Sequence, residues 1–304
     1  MQLTIRPHPP FDFDLSARIF SQGDERIQRY EDGIYWHAVR LENQPALIQV
    51  RSTGTTKDPE IRVEIEQQGT STISRDAKRE AMALVERVFN LGLDLMPFYE
   101  AVKHDRIMAQ ITKRLWGLKS PSTATVFEAL IDSVIEQQIS LRAAWSMQRR
   151  LVEALGDAMT WKGRTFFAYP KPERLAGASI EMLRSYGLSG RKAEYVKGIG
   201  RLVMNGLDLD SLSSRSEKEI IEELVKIRGV GVWTAEMTMI RGMQKYDAIP
   251  ADDLGLRRVI ANYYNHGEKI TGDDARRIAQ SWAGWRGLAS FYLIMADQLS
   301  VEVV

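Results

Sequence analysis

Two adjacent aspartates have the setting expected of reactive carboxylates. The segment "DAIPADDLGLRRVIANYY" places Asp252 and Asp253 between Pro250 and an apolar periodic run. The periodicity predicts a helix over 254–264, so both carboxylates lie near the positive end of its dipole. A carboxylate fixed there can stabilise a developing positive charge or take a proton from water. An aspartate before a helix is also the usual N-cap. Because a helix needs only one cap, the second aspartate favours a chemical role.

About twenty residues earlier, "IRGVGVWTAE" predicts two helices joined by a tight hairpin. Ser216 and Glu219 match a capping box that starts the first helix. Gly229 and Gly231 break it, and a second helix begins near Trp233. The first N–H groups of that helix have no internal partner and can bind phosphate without reading sequence. Three main-chain carbonyls at the end of the first helix could bind a monovalent cation such as Na⁺ or K⁺: those of Val225, Ile227 and Val230.

A basic stretch in the middle of the chain is consistent with a phosphate partner. The formal net charge is only +1, but residues 140–201 contain 12 Lys and Arg against 5 Asp and Glu. Such a stretch can follow phosphates locally, although basic residues often occupy solvated helix faces. Arg191 and Lys192 lie in the first turn of a predicted helix, where cations oppose the dipole. We therefore expect both to contact phosphate.

The elements that must position these residues fall into two classes. Short β-branched or alternating runs at 33–42, 45–53 and 60–67 predict strands, and 76–92 predicts a helix. The first hundred residues therefore predict an antiparallel sheet with helical cover. From about residue 95 the pattern is helical throughout, with predicted helices at 123–139, 140–156, 179–186, 189–205, 216–227, 232–242, 253–264, 271–282 and 286–299. The fold class is α+β, a small sheet domain followed by a helical body.

Composition excludes several classes of protein. The 304 residues include no cysteine, which excludes disulfides, thiolate catalysis, cysteine-ligated zinc and iron–sulfur clusters. The four histidines are far apart and form no metal-binding pair at helical spacing. No apolar run is long enough to span a bilayer, and the N-terminus lacks the pattern of a signal peptide. We expect a cytoplasmic protein without a membrane partner.

The motifs together resemble one family of DNA repair enzymes. Three segments are similar to the helix–hairpin–helix GPD superfamily of base-excision glycosylases. They are "RGVGVWTAEMTMIRG…DAIPADDLGLRR", "IRPHPPFDFDLSARIFS" and "IEQQISLRAAW". It is closest to the alkylated-base branch, the 3-methyladenine DNA glycosylase II type, over nearly the whole chain. The resemblance implies a TATA-binding-protein-like domain and two helical subdomains with the active-site cleft between them. The N-terminal domain is expected to span 1–98. One helical subdomain is expected to span 99–124 plus 246–304, and the other 125–245, which contains the hairpin at 216–242.

The resemblance also implies roles for the reactive residues. Asp253 matches the family's catalytic aspartate because "Asp-Leu-Gly" follows the family pattern, and Asp252 becomes the helix cap or a supporting residue. Members that cut the strand have a lysine just after the hairpin glycines, which forms a Schiff base with the sugar. Trp233 occupies that position here. The chain is therefore expected to be monofunctional.

The base pocket and the DNA wedge follow from the same resemblance. The pocket is expected to include Trp233, whose aromatic face attracts a cationic alkylated purine. Met237 and Ile294 stand where the family commonly has aromatics, which leaves the breadth of substrate choice open. A flipped base leaves a hole in the duplex, and Gln138 matches the residue that fills it. Without the resemblance, Trp233 is equally a buried packing residue and Gln138 a polar turn residue.

The implied function is excision of alkylated purines such as 3-methyladenine and 7-methylguanine, leaving an abasic site. The expected partner is double-stranded DNA containing damaged bases, bound by a monomer that needs no cofactor for chemistry. One alternative is a glycosylase for deaminated or oxidised bases, and Trp233 weighs most against the oxidised-base version. Another is a non-catalytic DNA-binding protein. The segment from Pro250 to Asp253 weighs against it, because a binder gains nothing from a carboxylate facing DNA.

Overall fold

The N-terminal third forms one antiparallel sheet. The structure, a computed structural model, describes residues 2–67, 69 and 72–303. The strands pair in the order β1-β5-β4-β3-β2. They span β1 Gln2–Ile5, β2 Gln28–Glu31, β3 Ile34–Leu41, β4 Gln44–Ser52 and β5 Ile61–Gln67. The three strands predicted from alternation correspond to β3, β4 and β5, so the expected sheet is confirmed. The two short outer strands gave no sequence signal.

One face of this sheet is covered by helices α1 Phe13–Phe20 and α2 Arg75–Val88. Phe89 lies at the centre of this layer, with its ring centroid 4.8 Å from that of Tyr35 and 5.0 Å from that of Phe20. The alternation of strand side chains sends one set of apolar residues towards these helices. The helical cover expected for the sheet is therefore present.

The opposite face is covered by a β-hairpin that the sequence did not predict. Strands β6 Asp157–Trp161 and β7 Arg164–Ala168 pair around a turn in which Lys162 and Gly163 both have positive φ. Met159 and Phe166 of this hairpin pack against Trp36 and Leu47 of the sheet. The expectation that the chain is helical throughout after residue 95 is therefore wrong. Five-residue strands are too short to show a clear period, and their stability comes from burying the far face of the sheet.

Nine helices of the described body begin and end close to predicted positions, whereas those at 96–102, 106–114 and 172–177 had no predicted bounds. The helices of the body are α3 Met96–Val102, α4 Arg106–Arg114, α5 Val126–Glu136, α6 Leu141–Leu155, α7 Pro172–Gly177, α8 Ile180–Ser185, α9 Gly190–Met204, α10 Glu217–Leu224, α11 Val232–Met243, α12 Leu254–Tyr264, α13 Gly272–Ile278 and α14 Arg286–Gln298. Most begin at a serine, threonine or aspartate whose side chain accepts a backbone N–H, which is why sequence located them. Among the described residues, no helix is long and apolar enough to cross a bilayer.

Two large hydrophobic cores organise the molecule. The first combines buried residues between 5 and 118 with others between 246 and 296, and the second lies between 126 and 248. The sheet domain therefore shares one continuous core with the helices expected as a separate subdomain. The expected boundaries at 98–99, 124–125 and 245–246 stay a prediction, although the latter two coincide with the change of core.

The second core depends on a close contact between α5 and α11. A Cβ placed on Gly242 of α11 would stand 2.8 Å from the Cβ of Ala129 and 3.2 Å from the Cα of Val126, both in α5. These distances are shorter than normal carbon contacts, so only glycine permits this approach. The contact fixes the spacing of the two helices.

We predict that Gly242→Val lowers the free energy of unfolding by about 1–3 kcal/mol, because the added methyls overpack this contact. The matched control is Gly198→Ala in α9, where an added Cβ meets nothing within 4 Å. This control should be neutral or stabilising by up to about 1 kcal/mol. Urea unfolding of both variants tests the prediction, and equal stability of Gly242→Val and the parent protein would contradict it.

Candidate active site

A cleft of about 1320 Å³ is lined by residues of both cores. Its walls come from α5, α11 and α14, and the start of α12 lies at its edge. The turn between α5 and α6 and part of the N-terminal sheet complete the lining. The cleft is large enough for a nucleotide base and contains most of the residues singled out by sequence.

Asp253 occupies this cleft and is also the N-cap of α12. Its Oδ1 accepts the backbone N–H of Leu256 at 2.8 Å, and its Oδ2 accepts the indole N–H of Trp233 at 3.1 Å. The two hydrogen bonds fix the carboxylate plane. The structure thus brings together the two residues expected to be central to the reaction. It also shows that the expected cap role of Asp252 is wrong, because Asp253 caps the helix itself.

Asp252 instead belongs to a charged cluster with Arg276 and Glu236. Its Oδ2 lies 2.5 Å from a guanidinium nitrogen of Arg276, and the same guanidinium is 3.5 Å from Oε1 of Glu236. Glu236 is buried, and burial raises its pKa to about 7 despite the nearby arginine. Asp252 therefore keeps the second of its two expected roles, that of a supporting residue. The sequence gave no sign of Arg276.

The three expected pocket residues all line the cleft. Trp233 and Met237 lie one turn apart on α11, and Ile294 approaches from α14. All three are half-buried. The sequence missed further aromatic lining residues, namely Trp145, Tyr169 and Phe291. They were missed because they lie far along the chain from the hairpin motif.

The two hairpin glycines have different surroundings. Gly229 has φ +92°, and a Cβ there would stand 2.2 Å from the ring of Tyr195, so this glycine lets the hairpin pack on α9. A Cβ on Gly231 would meet nothing within 4 Å, and Gly231 is the N-cap of α11. Only Gly231 thus has the open side expected of a phosphate contact. At Gly229, the ring of Tyr195 leaves no room for a side chain, which explains the glycine without a ligand. A phosphate contact through the backbone of Gly229 stays a prediction.

The carbonyls expected to hold a cation lie in the same turn between α10 and α11. Val225 is the C-cap of α10, and Ile227 already accepts the N–H of Val230 at 3.0 Å. A carbonyl oxygen has two lone pairs, so this bond leaves Ile227 able to ligate. The segment therefore fits a monovalent cation through Val225, Ile227 and Val230, and that site stays a prediction.

Gln138 lies at the tip of the turn between α5 and α6, at the edge of the cleft. It is exposed, and its φ of +57° is left-handed. The turn is fixed by its neighbour Gln137, whose amide donates to the carbonyl of Gly229 at 2.8 Å and to the hydroxyl of Thr234 at 2.9 Å. The candidate wedge is thus tied to the hairpin. The sequence missed this link because the partners are more than 90 residues apart.

Lys192 does not have the position expected of a phosphate contact. Its ammonium is buried and donates to the carbonyls of Ile135 and Gln137, each at 2.7 Å. Burial lowers its pKa. We correct its role to that of a structural cation that satisfies the C-terminal carbonyls of α5. Its neighbour Arg191 is exposed, and its phosphate role stays a prediction.

The cleft also contains a row of carboxyl groups that the sequence analysis missed. Glu128, Asp132 and Glu136 follow each other at four-residue spacing on α5 and all line the cleft. Glu136 pairs with Arg241 of α11 at 2.6 Å, and Asp132 accepts the hydroxyl of Tyr169 at 2.7 Å. The spacing itself was the available signal, because a single helix face with three acids within an otherwise apolar helix is unusual.

The fold and the cleft can now be compared with known proteins. A family model described as "HhH-GPD superfamily base excision DNA repair protein" matches residues 131–284. This match includes the hairpin, Asp253 and the wedge turn. The chain belongs to this superfamily of base excision DNA repair proteins.

Individual relatives indicate the branch. The chain is 35% identical over 217 residues to a DNA-3-methyladenine glycosylase of Bacillus subtilis, covering 71% of this chain and 72% of the relative. A 3-methyladenine DNA-glycosylase from Archaeoglobus fulgidus has the same fold, with a TM-score of 0.84, 24% identity and coverage of 98% and 99%. The Schizosaccharomyces pombe enzyme Mag1, solved with abasic DNA, has a TM-score of 0.58 and 25% identity over 67% of this chain and 98% of that chain. The expected alkylated-base branch and the enzyme class, a DNA glycosylase, are confirmed.

We predict that Arg191 and Lys192 differ in their effect on DNA binding. Arg191→Gln should reduce the slope of log affinity against log salt by about 0.9, the value for one phosphate contact in B-DNA. Lys192→Met should leave that slope unchanged and instead lower the free energy of unfolding by about 1–3 kcal/mol, because two buried carbonyls lose their donor. Fluorescence anisotropy with abasic duplex DNA at several salt concentrations measures the slopes. A reduced slope in Lys192→Met would reinstate it as a phosphate contact.

Proposed function

We propose that the protein is a monofunctional DNA glycosylase that excises alkylated purines, such as 3-methyladenine and 7-methylguanine, and leaves an abasic site. The observation that supports this most directly is the hydrogen bond between Trp233 and Asp253 within the cleft. It combines an aromatic face for a cationic base with a carboxylate for the sugar. The names of the curated relatives agree with this substrate class.

The reaction begins with extrusion of the damaged nucleotide, because its glycosidic bond cannot be reached in the stacked duplex. Gln138 enters the space left in the helix, and its amide can hydrogen-bond the orphaned partner base. Gly231 and Arg191 bind phosphates beside it. The turn needs no rearrangement for this role, since Gln137 already fixes it to the hairpin.

Asp253 then acts on the sugar. As the bond between C1′ and the base nitrogen breaks, its electron pair leaves with the base and positive charge develops on the sugar. The carboxylate stabilises that charge and orients the attacking water, whose hydroxide adds to C1′ while the carboxylate takes the proton. Trp233 and Leu256 hold the carboxylate in place through their N–H groups.

Strand cleavage through a Schiff base requires an amine at the sugar. Trp233 occupies the position of that amine, and no lysine is among the described residues that line the cleft. This supports release of the base by water alone. It also weighs against the alternative of an oxidised-base glycosylase that cuts the strand.

Three further expectations belong to the proposal. The hairpin carbonyls of Val225, Ile227 and Val230 hold a structural Na⁺ or K⁺, which has no part in the chemistry. The protein acts as a monomer, and it works in the cytoplasm.

A base-release assay tests the proposal. Duplexes with one 7-methylguanine, hypoxanthine or 8-oxoguanine are incubated with the protein, and abasic sites are revealed by alkali. We expect release of 7-methylguanine, intact strands before alkali treatment, and no covalent adduct after borohydride reduction. Release of 8-oxoguanine with a borohydride-trapped adduct would replace the proposal by a glycosylase/lyase, and no release from any duplex would leave a DNA-binding protein.

We further predict that Asp253→Asn lowers the single-turnover rate of 7-methylguanine release by about 10²–10⁴-fold, the range for losing a positioned acid or base. Asparagine is a good N-cap, so the fold of α12 is kept. Asp252→Asn is the matched control and should lose less than about tenfold, because it acts only through Arg276. A rate in Asp253→Asn equal to that of the parent protein would overturn the catalytic assignment.

A further inference from the structure

One wall of the cleft is acidic and has no part in the chemistry proposed above. We name this the acidic wall, and it consists of Glu128, Asp132 and Glu136, one turn apart on α5. Glu136 is neutralised by Arg241 at 2.6 Å. The other two have no ion pair within 4.0 Å in the part of the chain that the structure describes. Two carboxyls without a direct ion pair therefore face the cleft, and the nearby Arg40 and Arg241 are themselves paired with Asp157 and Glu136.

Their surroundings make this lack of a direct ion pair costly. Burial raises the pKa of Asp132 to about 7, with nearby Glu136 adding to the effect. Burial likewise raises the pKa of Glu128 to about 8, and here Asp132 is the second cause. Carboxyls that share a poorly hydrated wall disfavour each other's charge. Near neutral pH much of the empty wall is therefore protonated, and a ligand with a positive charge favours its ionised form.

A second observation, elsewhere in the lining of the same cleft, points to a polar ligand. His37 of β3 lines the cleft and is only 4% exposed. Its Nδ1 has no hydrogen-bond partner among the described residues, while its Nε2 lies 3.3 Å from the amide of Gln28. Burial lowers the pKa of the ring to about 4, so the imidazole is neutral and adds no positive charge. A buried polar atom without a partner is uncommon in folded proteins and is satisfied when a polar ligand enters.

A row on α11 lines the same cleft. Trp233, Met237 and Arg241 follow at four-residue spacing. Trp233 is the single aromatic of this row, and further rings in the lining come from Trp145, Tyr169 and Phe291. Aromatic rings attract cations but also stack on neutral bases. A carboxyl in the lining adds an attraction that only a charged base receives.

We propose that Asp132, assisted by Glu128, is a specificity-determining residue of the cleft and selects flipped bases that have a fixed positive charge over neutral bases of the same size. The ligand class is the N3- or N7-alkylated purine cation. The inference rests on the proposed function, in which this cleft receives the flipped base. Arg241 holds Glu136 and keeps that carboxyl from the base.

The same charge accounts for release of the product. When the glycosidic bond breaks, its electron pair stays on the base, so the alkylated purine cation becomes neutral. The attraction to Asp132 and Glu128 is present before cleavage and absent after it. An undamaged purine is neutral throughout and gains nothing from the wall.

A binding experiment tests the inference without requiring turnover. The probes are 7,9-dimethyladeninium, a purine with a fixed positive charge and no sugar, and neutral 9-methyladenine, both measured by quenching of tryptophan fluorescence. Wild-type protein should prefer the cation by at least about tenfold, as expected for one opposite charge in a partly shielded site. Asp132→Asn and Glu128→Gln should each reduce this preference, and Glu173→Gln, an exposed acid in the first turn of α7, should retain it.

Excision rates supply the second readout. Asp132→Asn should reduce the ratio of 7-methylguanine to hypoxanthine release at least about tenfold, because the cationic base loses its attraction to the carboxylate. Equal preference for the two probes in the wild type, or an unchanged preference in both variants, would overturn the inference. Wild-type protein that releases neither base would refute the proposed function, while the probe preference still decides the inference. Thermal unfolding shows whether each variant is folded. If Asp132→Asn does not fold, Glu128→Gln provides the test.

Discussion

The close packing of α5 on α11 is the contact on which the rest of the active site depends. Gly242 lets the helices approach until its backbone touches Ala129. The wedge turn then lies against the hairpin, where Gln137 bonds the carbonyl of Gly229. The same approach sets the distance between the acidic wall on one helix and Trp233 on the other. The residues proposed for DNA distortion, base recognition and catalysis are thus linked through α5 and α11, and a shift of either helix would disturb all of them.

Charge is distributed unevenly over this unit, and each charge has a defined task. Lys192 is buried beneath the wedge turn and neutralises carbonyl dipoles, while Arg241 is paired with Glu136. Asp253 keeps one oxygen for the helix and presents the other beside Trp233. The cations near the cleft are therefore engaged in structure, which leaves the carboxyls of the acidic wall that lack an ion pair available to a ligand. Under the proposed selectivity this arrangement favours a cationic base over a neutral one.

Features with local causes could be predicted from sequence, and features with distant causes could not. The capping box, the glycine hairpin and the aspartate before α12 are each specified within a few residues, so the sequence located the helix starts at Gly231 and Asp253. Their roles in binding and catalysis stay predictions. Lys192 was misread because its partners lie more than 50 residues away, and nothing local distinguishes a buried lysine from an exposed one. The hairpin of β6 and β7 was missed because its stability comes from covering the far side of the sheet. The acidic residues of α5 were visible in sequence, but their exposure to the cleft required the packing.

The left-handed backbone of Gln138 has a consequence for how this enzyme can change. A residue other than glycine or asparagine in this conformation costs roughly 1–2 kcal/mol. Glycine would remove that cost at once, yet the chain has a long amide side chain there. Under the proposed wedge role, the tip of the turn is thus a place where stability and function make opposite demands. Stabilising substitutions at this position should be easy to find, and under that role they would yield a more stable protein that no longer holds the duplex open.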